Sequence, residues 1–312
     1  MKDPSGKDKL ELPLAKAPDS IWVSIEAALD RGEPRTARRP PIAGILALAA
    51  AAAVVVGIFV WRASAPPKVT LEVVRVDGRP SVGAKPLGAA GRIAVGEWLR
   101  TDASSSARIT LGDIGTVQIA PNTQVQVLAS RPQEQRLKLA RGEISASVTA
   151  PPRLFFVDTP ASTAVDLGCA YTMKADPDGN GLLQVTLGWV SLEWEGRESL
   201  VPAGASCRTR QKVGPGTPYF DDAPQRLVGA LSDFDFSQGG DAALASVLDE
   251  ARVRDTLTLW HLLSRVAPSQ RPRVYDRIAE LVPVPKGVSR NKALQLDPAT
   301  LKVWREELAW KW

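Results

Sequence analysis

The stretch PIAGILALAAAAAVVVGIFVW, residues 41 to 61, restricts this chain more than any other feature, because no side chain in it carries a charge. A run of about 20 apolar residues, rising about 1.5 Å each, is long enough to cross a hydrocarbon core of roughly 30 Å. A cleaved signal peptide needs an apolar region of only about 7 to 15 residues close to the N-terminus. Here the run is longer and follows forty residues of mostly polar character, 1 to 40. Ala63-Ser64-Ala65 resembles a cleavage site, but Pro66 directly after it makes that site unattractive. A buried helix of this uniformity would need protein on every side, which fits poorly beside the Arg38-Arg39 and Pro40-Pro41 pairs. Residues 41–62 are therefore expected to form one transmembrane helix.

Lys and Arg close to a span tend to stay in the cytoplasm. Arg31, Arg35, Arg38 and Arg39 precede the run, and Arg62, Lys68 and Arg75 follow it. The cluster just before the run, and the rule that long domains translocate largely regardless of charge, place the N-terminus inside. Trp61 then sits at the outer interface, where indole is favoured. Residues 62–312 are then expected on the outer side of the membrane.

The inner segment, 1–40, holds one amphipathic pattern, DSIWVSIEAALDRG, with Asp19 or Ser20 as N-cap and Gly32 at the stop. A lone helix of about 12 residues is marginal in water. The segment is read either as a solvated tail or as a partner-binding helix that orders on contact, with Ile21, Trp22, Ile25 and Leu29 as the candidate contact residues.

After a Pro-rich linker, 63–70, the pattern changes to short alternating runs separated by Gly, Pro, Asn and Asp, in a chain that carries 25 Pro and 24 Gly. SARITLGD puts Ala107, Ile109 and Leu111 on one face, and TVQIAPNTQVQV repeats the pattern with Val117, Ile119, Val125 and Val127. In AVDLGCAYTM, Val165, Leu167, Cys169, Tyr171 and Met173 fall on one side of a continuous strand. The fold class is mainly β, with residues 71–220 forming a β-sandwich or β-solenoid.

These motifs resemble the periplasmic domain of the FecR family of bacterial envelope signalling proteins. GEWLRTDASSSARITLGD is similar to the family's opening. VQIAPNTQVQV, LKLARGEISASV, FFVDTPASTAVDLGC, LLQVTLGWVSLEW and LVPAGASC follow in the family's order, over about residues 90 to 210. The resemblance implies a relay of an outside signal across the inner membrane to a cytoplasmic sigma factor, commonly from an outer-membrane receptor. Two features differ from such members: the inner segment is short, and residues 221–312 read as a helical C-terminal region.

In that region AALASVLDEAR, DTLTLWHLLSRV, RPRVYDRIAELV and DPATLKVWREELAW have wide apolar faces, with Asp241, Asp255 and Asp297 as capping residues and Pro272 and Pro298 in first turns. Four such helices predict a small bundle, docked on the β-domain or on a partner. Trp304, Trp310 and Trp312 read as packing residues.

The formal net charge of +5 is spread along the chain, and no basic run is interleaved with aromatics, so no nucleic acid is expected as a partner. One His, two Cys without a CxxC pair, no G-x-S-x-G elbow and no phosphate loop leave no catalytic residue, metal site or cofactor to propose. DPDGNG resembles the start of a calcium loop, but position 12 is Leu187 where the bidentate Glu belongs, so a tight hairpin turn is expected. Cys169 and Cys207 both fall outside the membrane in this topology, where oxidation is favoured. They are the disulfide candidates, with two buried free thiols as the alternative. The expected function is therefore a non-enzymatic, single-pass signalling protein that regulates a sigma factor. The alternative is an envelope scaffold whose β-domain binds a protein or glycan.

Overall fold

The alternation read from the sequence reappears as two β-sheets closing on one core. The computed structural model describes residues 70–312. The expected span over 41–62, most of the linker, and the segment carrying Ile21, Trp22, Ile25 and Leu29 lie outside the described residues. Among the described residues no helix is long and apolar enough to cross a membrane.

The first sheet runs in spatial order through β4 (Ala90–Ala94), β1 (Thr70–Asp77), β6 (Ser106–Thr110), β7 (Gly115–Ile119), the C-terminal half of β9 (Glu134–Val148), β12 (Ala170–Ala175), β13 (Gly181–Leu187) and β16 (Ala205–Arg210), with the short β17 (Gly214–Pro215) and β18 (Tyr219–Phe220) beside β16. The second contains β3 (Lys85–Pro86), β2 (Ser81–Val82), β5 (Trp98–Arg100), β8 (Gln124–Arg131), the N-terminal half of β9, β10 (Phe155–Asp158), β11 (Thr163–Asp166), β14 (Trp189–Trp194) and β15 (Arg197–Pro202). Every pair is antiparallel except β9 with β10. Of the two architectures expected, this is the ladder pattern of a sandwich.

Strand β9 belongs to both sheets, and Gly142, at φ +97°, marks the crossing. A Cβ there would collide with Thr123, so the close approach requires glycine. Inward residues of the first sheet, such as Ile109, Ile144 and Met173, meet Leu139, Phe155 and Leu192 of the second in one buried cluster. Each fully buried side chain of this size contributes about 1.5 to 3 kcal/mol over exposure.

One expected strand is two. The run from Val165 to Met173 breaks at Gly168 (φ +88°), so β11 stays in the second sheet and β12 crosses to the first. Val165 therefore turns to the outer face opposite Phe156, and Asp166 takes the inward position. Asp166 accepts from the Gly168 N–H at 2.7 Å, which fixes the turn. The DPDGNG segment is the hairpin turn between β12 and β13, closed by Asn180 N–H donating to Asp176 Oδ1 at 2.8 Å.

Six helices follow: α1 (Gln225–Phe236), α2 (Gly240–Glu250), α3 (Thr256–Arg265), α4 (Arg271–Leu281), α5 (Arg290–Leu294) and α6 (Pro298–Leu308). The four sequence motifs gave α2, α3, α4 and α6, whereas α1 and the short α5 were not singled out. Asp297 caps α6 by accepting from Thr300 N–H. Asp255 sits at the N-cap of α3 but makes no capping bond, because its carboxylate is drawn to Arg252 Nε at 2.7 Å. Asp241 lies in the first turn of α2, whose N-cap is Gly239.

The bundle has its own core, which includes Leu231, Leu244, Leu263, Ile278 and Trp304, and it docks on the β-domain. Leu257 of α3 enters the sandwich core, and Trp312 packs against Trp189 of β14 at 6.0 Å between ring centres. Trp304 and Trp312 pack as expected, but Trp310 is 86% exposed.

Candidate binding site on the second sheet

The outer face of β10 and β11 carries the groove with the strongest chemical definition inside the β-domain. Phe155 and Phe156 are neighbours on a strand, so one must point out of the core. Phe155 is fully buried, and Phe156 lies half-buried in the groove beside Val165. The parallel register places Phe156 opposite Arg136 of β9. The Arg136 guanidinium lies 4.5 Å from the Phe156 ring centre, within the range of a cation–π contact.

Two acids hold Arg136 in place: its Nη1 donates to Asp158 at 2.7 Å and its Nε to Glu134 at 2.9 Å. The Arg136 bond keeps the Glu134 carboxyl below the usual carboxylate range, and Thr163 also donates to Asp158, at 2.9 Å. On the other rim Arg153 Nη1 donates to Glu193 at 2.9 Å, and this bond raises the Arg153 guanidinium further. The groove encloses about 650 Å³ and ends at the hairpin of Glu195 and Gly196. A neighbouring cavity of about 270 Å³ shares Arg153 and Phe156 and extends it toward Arg131. An apolar floor between fixed ion pairs suits binding, because the polar groups supply orientation and the ring supplies area. None of these residues was expected as a site residue. The signal available was the Phe155-Phe156 doublet, which breaks the alternation that a half-exposed strand should show.

The expected disulfide does not form, and both cysteines are free and buried. Cys207 stands opposite Leu183, which stands opposite Met173, and Cys169 lies at the far end of β12 from Met173. Two strand spacings and the intervening residues separate the cysteine Cα atoms by on the order of 15 Å, against a limit of about 7 Å for bridging. Cys169 donates instead to Asp166 at 2.6 Å, and Cys207 to the Gly216 carbonyl at 3.1 Å. Burial pushes both thiols up, Cys207 to about 12, so neither is a thiolate at neutral pH.

His261 is buried and has no free nitrogen: Nδ1 is 2.9 Å from the Leu257 carbonyl, and Nε2 accepts from the Leu200 N–H of β15 at 3.0 Å. Burial, reinforced by the Arg265 charge, pushes its pKa down to about 3. The ring is thus a neutral clamp between α3 and β15. One turn further along α3, Arg265 reaches the same strand, donating to Ser199 Oγ at 2.6 Å, and also donates to Thr217 Oγ1, between β17 and β18, at 2.9 Å. Its Nη1 lies 3.7 Å from Asp235 of α1, and both side chains are at most 5% exposed.

The groove, the two-sheet sandwich and the strand that crosses between sheets all fall around one sequence segment. Residues 97–191 match the family model described as FecR protein. These residues are a FecR domain. It opens just before β5 and closes within β14, so it holds Arg136, Phe156 and Val165, while the hairpin wall of the groove and the helical region lie beyond it. No curated protein matches the sequence. Two similar solved structures, at 1.65 and 2.50 Å, are titled as "a putative anti-sigma factor from Parabacteroides distasonis ATCC 8503". Each shares 17% identity at a TM-score of 0.36 over 43% of this chain, which covers 63% and 62% of their lengths.

Proposed function

We propose that the protein is a single-pass regulator in which the FecR domain receives an envelope signal and the inner segment controls a sigma factor. The observation that carries this reading is the FecR domain at residues 97–191, positioned after an apolar run of membrane-spanning length. The groove over Phe156 supplies the signal-receiving face, and a protein of the envelope or outer membrane is its partner. In this reading the described part acts by binding its partner. The C-terminal bundle, clamped to β14 and β15 through Trp312 and His261, stiffens the sheet that carries the groove.

Capture of the host's sigma factors by immobilised residues 1–40 tests this reading. One sigma factor should be retained, and Trp22→Ala should lower its retention at least tenfold, because an aromatic anchor of a short helix carries much of its binding energy. If the segment retains no sigma factor while the full chain still inserts in membranes, the regulatory role fails and an envelope scaffold remains.

A further inference from the structure

A second cleft, remote from the FecR groove, lies where the outer face of the first sheet meets α1. It encloses about 340 Å³ and is walled by Phe236 near the end of α1 and by Leu182 of β13. The ladder register sets Lys174, Leu182 and Arg208 directly opposite one another on three adjacent strands. An apolar side chain therefore lies between two cations, each about 4.8 Å away across the sheet. Arg210 follows Arg208 by two residues and shares its face.

These cations are not equally occupied. Lys174 is held by Glu143 at 3.0 Å. Arg210 donates to the Phe236 carbonyl at 2.6 Å and stacks over its ring at 4.8 Å, which fixes the guanidinium without neutralising it. Arg208 makes one long contact, Nε to the Tyr219 hydroxyl at 3.5 Å, and among the described residues no carboxylate pairs with it. The acid lining the cleft, Asp176, uses Oδ1 to close the hairpin turn. A guanidinium fork is built to take an oxyanion through two parallel bonds.

We infer that this cleft binds a small organic oxyanion, a carboxylate or phosphate on a compact apolar or aromatic body. Arg208 and Arg210 hold the charged end, and Leu182 and Phe236 cover the body. The site is independent of the regulatory reading above and stands or falls separately.

Titration calorimetry of the full-length protein in detergent with phenyl phosphate, benzoate and inorganic phosphate tests it. Phenyl phosphate or benzoate should bind saturably at one site, and whichever binds more tightly identifies the headgroup. Arg208→Ala, which removes no ion pair among the described residues, should weaken binding at least tenfold, and Arg210→Ala should do the same. Arg226→Ala, outside the cleft, should leave it unchanged. Absence of saturable binding by both organic probes, or binding unaffected by Arg208→Ala, overturns the proposal. Inorganic phosphate binding as tightly as phenyl phosphate overturns the role given to Leu182 and Phe236.

Discussion

Arg265→Ala is expected to lower the unfolding free energy by about 3 to 5 kcal/mol, the cost of leaving one partner of a buried ion pair behind. The Asp235 side chain is only 3% exposed, so without Arg265 its charge has neither water nor a counter-ion, although the Thr217 N–H still donates to it at 2.6 Å and the Thr217 hydroxyl at 3.0 Å. The same substitution strips Ser199 and Thr217 of a donor and removes one of the ties between α3 and the β15 strand. Arg153→Ala is the contrast: its pair with Glu193 has side chains 57% and 37% exposed, and such pairs contribute about 0 to 1 kcal/mol. Urea unfolding of the full chain, followed by tryptophan fluorescence, separates these magnitudes. Equal losses in the two variants would mean that Arg265 does not join the bundle to the sandwich.

The second large effect is on pH. His261 is the one histidine of the chain, and its folded pKa of about 3 lies well below the ordinary value of 6.5. The unfolded chain thus takes up a proton below about 6.5 that the folded chain refuses. Stability from this group is fully present above that pH and falls as pH drops toward 3, by about 1.4 kcal/mol per unit. Between pH 7 and 5 the loss amounts to about 2 kcal/mol. Asp166 acts in the opposite sense, since burial raises its carboxyl and the folded state then holds a proton more readily as pH falls. Asp166 is common to the native chain and to His261→Gln, so the difference between their urea midpoints at pH 7 and pH 5 isolates the histidine. The native chain should lose about 2 kcal/mol more than the variant. Parallel losses would show that the ring is charged, or solvated, in the folded state.

The sandwich was legible because period-two alternation and burial are the same fact seen twice: Ile109, Val117, Val125 and Met173 were assigned to a core face and all are buried. Alternation alone does not say which sheet a strand joins. The run through Val165 and Tyr171 reads as one strand, and only the left-handed Gly168 with its Asp166 brace sends the halves to different sheets. Cysteine pairing failed for the same reason, since strand neighbours and register decide it and spacing along the chain does not. The helical motifs carried caps and wide apolar faces and were readable. The clasp of His261, Arg265 and Asp235 was not, because its members come from two helices, and the two on α3 meet a strand some sixty residues earlier in the chain. The groove was hidden too, its outward Phe156 being indistinguishable in sequence from its buried neighbour.

The whole account depends on the FecR domain standing on the far side of a membrane from residues 1–40. Alkaline phosphatase fused after Trp312 in a bacterial host measures this most directly. The account predicts an active fusion that stays with the membrane through an alkaline wash. An inactive phosphatase fusion, paired with a cytoplasmic reporter that is active at the same junction, would contradict it.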